Sequence, residues 1–452
     1  MLENGVRLVN KALEAGADDA EASILERKGL EFKTEKNRVK LATAEESVGR
    51  GLRTVKDHRL GFSFTTDMNN DEALVGKALS ISRLGKEMKE FSFPSGAGAS
   101  KVERTFDKRL AEMPLDYGAE VCEEGIRGAL EVNPEINVTS GRIRYGSEIL
   151  YVANSRGLEA EDKVTYFFAE VDTVLKRNEV STGTETYWSK QMDADLYEIG
   201  KRSAQWAVDT ANPKKMKGGK MTVLLHPLAL RSMMEFVLVP ALYAERARKG
   251  ESVYSDRIGE MVANEGVSFF DDPTMPNGPN SGMIDDEGTP SSRTELIVNG
   301  KLESFLYDNV VASEYSEKST SNAMKVARLS NIRQFKYPPR VCARNFVVEG
   351  PEKSVDDLIA ETNDGVLVHG ILGAHTSNPA SGDFSISSPR LLRIKNGEIS
   401  NPVTSVMISG NFPELLKNMS SLGDDRRSMK GSMGALGIIS PSARFEDVLV
   451  IG

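Results

Sequence analysis

Residues 294–308 read TELIVNGKLESFLYD, two short runs of alternating character on either side of Asn299-Gly300. Asn-Gly tolerates positive φ at both central positions of a type I′ turn, whose twist matches that of paired antiparallel strands. The same device recurs at 390–404, RLLRIKNGEISNPVT, around Asn396-Gly397. Between and beyond these hairpins, short apolar runs such as DGVLVHGILG and TSVMISG are punctuated by Gly365, Gly370, Gly373, Gly382, Gly410, Gly431 and Gly434. From 219 to 452 the chain therefore reads as a β-rich domain, barrel-like or a curved double sheet.

Upstream the texture differs. LENGVRLVNKALEAG (2–16) spaces Leu2, Val6, Val9 and Leu13 as one face of a helix and stops on Gly16. Strands are expected at 20–34 and 47–65 and a helix at 71–85, followed by the linker FPSGAGASKVER (93–104). The order then repeats: a helix at 115–131, strands at 136–154 and 157–175, a helix at 193–211, and a break at ANPKKMKGG (211–219). The expected architecture is α+β. Two helix–strands–helix halves, 1–92 and 105–212, precede the β-rich domain 219–452.

Composition narrows the function classes. The 452 residues are 39% hydrophobic, 27% charged and 7% aromatic, as in globular proteins, and exceed what one core usually supports. A net charge of −9 opposes a dedicated nucleic-acid binder, which needs a basic face to displace counterions. Only Cys122 and Cys342 occur, so the expectation is two buried, reduced thiols and no cysteine metal cluster. The N-terminus carries no signal-peptide pattern. SMMEFVLVPALYAERARKG (232–250) is too short and, with Glu235, too polar to span a bilayer; it reads as a buried helix over 232–247, kinked near Pro240.

The search for chemistry is thin. His58, His226, His369 and His375 form no HExxH pair. His226 stands at a strand end in MTVLLHPLAL, and His375 heads a polar loop that includes Asp383. The acidic GMIDDEGTP (282–290) lacks the alternating ligands of a calcium loop, so it reads as a turn made possible by Gly288 with its carboxylates in water. Neither a phosphate-cradling GxGxxG nor a GxSxG nucleophile elbow is present.

Taken in order, several stretches resemble the TldD/PmbA (TldE) family of metalloprotease-related proteins. They are GADDAEAS (16–23), VGRGLRTVKDHRLGFSFTTD (48–67), RKGESVYSDRIGE (248–260), IDDEGTPSSRTELIVNGKLESFLYD (284–308), VHGILGAHTSNPASGDFSISSPRLLRIKNGEISNPV (368–403) and MISGNFPELLKNMSSLGDD (407–425). The resemblance spans essentially the whole chain. In that family the TldD kind carries a zinc-binding HExxxH helix before the segment matching RKGESV, and a cysteine near the C-terminus. Histidines five apart call for a locally widened turn, since ordinary zinc helices use four. Laid over this chain, the first histidine falls at Glu235, the catalytic glutamate at Phe236, the second histidine at Pro240 and the cysteine at Met433.

The chain is thus most similar to the non-catalytic TldE/PmbA kind. By resemblance it implies a cytoplasmic protein without its own cofactor, paired with a TldD-like HExxxH subunit that holds the zinc. The pair would act on unfolded or modified peptides, with no role for nucleic acid or membrane. Under that reading His369, His375 and Asp383 line the peptide cleft. Two other readings stay open: a stand-alone peptide- or protein-binding homodimer, and a divergent metal-dependent hydrolase using His226, His369 and His375.

Overall fold

The computed structural model describes residues 1–452 except 97, 328, 329 and 331; residue 97, inside the expected linker, thus lies outside the described residues. α1 (Leu2–Glu14) buries Leu8, Val9 and Ala12, and Gly16 takes φ +99° just beyond it. The strands β1 (Asp19–Thr34), β2 (Val39–Lys56) and β3 (Arg59–Thr65) follow, then α2 (Asp71–Ser82). A single turn α3 (Lys108–Ala111) introduces the second half, with α4 (Leu115–Val132), β4 (Ile136–Asn154), β5 (Glu159–Lys176), β6 (Val180–Ser189) and α5 (Leu196–Asp209).

These two halves share one antiparallel sheet of order β3-β2-β1-β4-β5-β6. They meet where β1 pairs with β4, from Glu21 opposite Asn154 to Thr34 opposite Gly141. The repeat seen in the sequence is therefore welded by backbone hydrogen bonds into a single surface. Val39–Glu46 and β6 had no counterpart among the expected strands. The first shows no buried side chain and so no alternation, and the second buries Ser181, Glu185 and Thr186 where apolar residues would signal a strand.

Beyond 218 the chain closes a barrel. β7 (Gly219–Leu225) pairs in parallel with Asp364–Leu372, which pairs in turn with Asp383–Lys395, Val406–Asn411 and Ala443–Ile451; the last returns to β7. Five strands thus close on themselves and leave no free edge in the ring. A second sheet runs Lys301–Leu302, Thr294–Val298, Ser268–Asp271, Asn345–Glu349, Gly437–Ser440, Arg427–Lys430. Both Asn-Gly hairpins form as the dipeptide requires: φ is +48° and +79° at Asn299 and Gly300, and +51° and +80° at Asn396 and Gly397.

The 232–250 stretch enters the main core of this domain, with Met233, Met234, Leu238, Val239 and Leu242 all fully buried. Its course differs from one kinked helix over 232–247. α6 (Pro227–Met233) passes into a π-helical turn, Met234–Leu238, then α7 (Val239–Ala241); a separate α8 spans Ala244–Arg248. The break falls after Pro240, because strand-like bonds capture the backbone there: Leu306 N–H donates to Leu242 O and Ala244 N–H to Leu306 O, both at 2.9 Å. No described helix is long and apolar enough to cross a membrane.

Candidate functional site

The π turn decides what the helix presents. Val239 N–H donates to Met234 O, five residues back, so one extra residue is accommodated between positions that an α-helix would stack four apart. Glu235 is carried inward to 4% exposure, while Phe236 and Pro240 stay half-buried. A carboxylate in an apolar core needs donors, and the loop after Arg427–Lys430 supplies them. Glu235 Oε1 accepts from Met433 N–H at 2.9 Å and Gly434 N–H at 2.7 Å. Its Oε2 accepts from Ser432 N–H at 2.6 Å and Ser432 Oγ at 2.7 Å.

Four donors fill the acceptor positions that a carboxylate offers. The loop can come this close because Gly431 has no side chain: a Cβ there would stand 2.7 Å from Glu235 Oε1. Two positions taken from opposite ends of the domain, Glu235 and Met433, are thereby joined directly. The zinc that the family resemblance attaches to these positions does not fit them. Phe236 and Pro240 bring no ligand atom, Met433 contributes its backbone while its side chain is exposed, and Glu235 has no lone pair left to offer.

His375 lies beside this helix, its ring meeting Phe236 edge-on at 6.1 Å between centroids. It is exposed, as is Asp383 at the start of the next strand, where Asn411 and Ser381 hold the Asp383 carboxyl below its ordinary range. His369 is not in an open cleft. It is fully buried with its ring 4.0 Å from Trp206 of α5 and 4.5 Å from His226, and neither ring nitrogen finds a partner among the described residues. Burial, reinforced by Arg427 for His226 and by His226 itself for His369, holds both imidazoles well below the usual histidine range. His226, His369 and His375 do not assemble a ligand set; among the described residues no three His, Cys, Asp or Glu groups are placed to hold a metal. Both cysteines are buried and free.

The acidic turn at 282–290 corrects its sequence reading most sharply. Gly288 does supply the left-handed backbone, at φ +82°, but Asp285, Asp286 and Glu287 are fully buried rather than in water. Glu287 pairs with Arg53 of β2 at 2.6 Å, and Arg53 also grips Glu21 of β1. Asp286 pairs with Arg333 at 2.9 Å and accepts the Lys325 N–H. The partners lie as far as 234 residues away in sequence, so no local pattern marks them. Glu235 did leave a signal: one carboxylate in an apolar helix predicts a buried donor set, and the glycine-flanked GSMG is rich in free N–H groups.

An antiparallel double-half platform, a closed barrel and a π-bulged helix tied to a C-terminal loop by its own carboxylate together make up an α+β scaffold. The models for the PmbA/TldA metallopeptidase domain 1, central domain and C-terminal domain match residues 20–82, 108–210 and 218–452 respectively. The chain belongs to the PmbA/TldD metallopeptidase family. It is similar to an uncharacterised Methanocaldococcus jannaschii protein, at 29% identity over 89% of each chain. It is also similar to a Methanothermobacter thermautotrophicus protein named metalloprotease, at 26% identity over 86% of this chain and 84% of the relative. Among solved structures it resembles TldE from Thermococcus kodakarensis, with a TM-score of 0.92 and 25% identity, covering 99% of this chain and 100% of that one.

Proposed function

We propose that this chain is a non-catalytic subunit of a TldD/TldE-type peptidase, acting in the cytoplasm beside an HExxxH subunit that owns the zinc. Its contribution is positional: it forms one wall of the peptide cleft and presents substrate to the partner's metal. The observation that carries this reading is the saturated Glu235, since a helix whose site carboxylate is spent on Ser432, Met433 and Gly434 cannot bind a metal without dismantling its own loop. Fold likeness to a protein described as TldE supports the same assignment. The relative named metalloprotease belongs to the same family, and its name is its own.

On this reading unfolded or modified peptides are the substrates, and the half-buried Phe236 with exposed His375 marks where they pass. Placement matters because a misalignment of about 1 Å can cost on the order of 100-fold in rate. The test is reconstitution with the HExxxH paralogue of the same genome, with peptide cleavage and assembly followed together. Cleavage that requires both chains, with zinc only in the paralogue, is expected. Full cleavage by the paralogue alone, or by this chain alone, overturns the reading.

A further inference from the structure

At the seam between the N-terminal sheet and the barrel domain lies a second feature that the helix chemistry does not use. Tyr166 and Phe168 of β5 and Trp188 of β6 form an aromatic wall, with Trp188 stacked on Tyr166 at 6.2 Å and tilted against Phe168 at 5.9 Å. Facing this wall are Lys190, 3% exposed, and Lys430, whose Nζ sits 4.8 Å from the centroid of the Trp188 ring. Asn280 completes the rim. The water-accessible cavity is about 50 Å³, against roughly 10–15 Å³ needed by one water on the same measure. It suits a group of a few atoms, not a chain.

Its charges do not balance. Glu148, which lines the cavity, is engaged by Arg27 at 2.6 Å. Asp162 attracts Lys190 but accepts Met283 N–H at 3.0 Å and has Arg333 at 3.9 Å, so neither carboxylate pairs directly with a lysine. Neither the Lys190 nor the Lys430 ammonium group has an ion-pair or hydrogen-bond partner among the described residues. Trp188 Nε1, a donor only, is buried and likewise unpartnered. A cation held from water without a direct ion pair is costly, and here the buried Lys190, the half-buried Lys430 and Trp188 with its orphan N–H line one cavity. We propose that this seam pocket binds a small oxyanion, either a phosphate or a carboxylate such as a peptide C-terminus, held by Lys190, Lys430 and the Trp188 indole N–H.

The electrostatics agree with that geometry. Burial, with Lys430 adding like charge, pulls Lys190 down to about 7 against the attraction of Asp162 and Glu148, with Arg333 lowering it further. Lys430 is drawn down to about 8 by burial, opposed by Glu148 and helped by Arg333. An anion reverses both effects, so a carboxylate, ionised throughout, binds with proton uptake and more tightly as pH falls from 8.5 to 6.5, whereas phosphate loses charge over the same range. The pocket also touches the sealed loop: Lys430 directly precedes Gly431, and Asn280 Nδ2 donates to Ala435 O at 2.7 Å. It is distinct from the proposed peptide path beside Phe236, and its test does not depend on that reading.

Isothermal titration of the intact chain decides it, with inorganic phosphate in one arm and, in the other, a short acetylated peptide acid against its C-terminal amide. Saturable 1:1 binding is expected in at least one arm; phosphate binding assigns a free anion, and acid-over-amide preference assigns a peptide terminus. Lys190→Met and Lys430→Gln should each weaken binding by about 10- to 100-fold, the range for a hydrogen bond to a charged group. In anion-free buffer both variants should unfold at the native temperature or above, since each removes an uncompensated cation. No saturable binding in either arm, or binding unchanged in both variants, overturns the proposal. So does a melting temperature lowered in Lys190→Met without any anion, which would make Lys190 structural.

Discussion

Arg53 and Glu287 meet at 2.6 Å across the junction of sheet and barrel domain, both sealed from water, with the other edge of the guanidinium held by Glu21. The pair fastens the acidic turn of the C-terminal domain to the centre of the N-terminal sheet, and Phe93 covers the guanidinium face at 5.0 Å. Removing the cation strands two buried carboxylates at once. Arg53→Ala should therefore cost about 3–5 kcal/mol of stability, read as a lowered urea midpoint. A loss within about 0.5 kcal/mol, as at ordinary surface sites, would show that the junction does not rest on this contact.

The same junction sets a pH dependence. Burial, with Glu287 adding like charge, raises Asp285 to about 7 and Asp308 to about 8. The unfolded chain releases these protons near pH 4. Between that point and the folded values the native state binds more protons, so stability contributed by the pair is present at low pH and lost as pH rises toward 7–8. Asp308→Asn keeps a cap for Val311 N–H, which Asp308 Oδ1 now accepts at 2.8 Å, yet removes one titration. The variant should gain stability relative to wild type as pH rises from 5.5 to 8.5. Parallel curves would sink the argument.

Sequence and structure part company along a physical line. Whatever depended on neighbours in the chain was legible: both Asn-Gly hairpins, the amphipathic α1, the two repeated halves and the closing of short glycine-spaced strands into a barrel. The widened turn at Met234–Leu238 was expected only for the histidine spacing of the TldD kind; for this chain the sequence suggested one helix kinked near Pro240, and its own residues did not mark the π turn. Whatever depended on distant partners was not legible. The carboxylates of 282–290 look solvated until Arg53 and Arg333 arrive from elsewhere, and His369, expected from the resemblance to line the peptide cleft, is turned inward against Trp206 of another module.

Glu235 gives the next test. Substituting Gln turns one oxygen into an NH2 group that must face backbone N–H donors, so one contact becomes repulsive if the nitrogen replaces Oε2, where Ser432 Oγ can turn to accept, and two if it replaces Oε1. Glu235→Gln should lose about 2–4 kcal/mol and increase proteolysis within 431–436. Because the carboxylate is held by protein donors, prolonged EDTA treatment should leave the melting temperature of the wild-type chain unchanged. A drop on chelation that zinc restores would mean that a metal shares in holding this turn.

The last prediction separates cleft from interface. His375 stands against Phe236 with its ring accessible, and Asp383 is exposed with Asn411 as its side-chain partner, so neither supports the core. Replacing both by alanine should leave the melting temperature within about 1 kcal/mol equivalent of wild type, as for other exposed sites. In the reconstituted pair, kcat/KM for peptide should fall by about 10-fold if each side chain makes one polar contact to the bound chain, while size-exclusion elution of the complex stays the same. His369→Phe supplies the contrast, because that ring is packed on Trp206 and His226 and reaches no solvent. It should change stability more than peptide turnover. Unchanged cleavage by the His375/Asp383 double variant would move the peptide path off this face, and dissociation of the pair would instead assign these residues to the subunit contact.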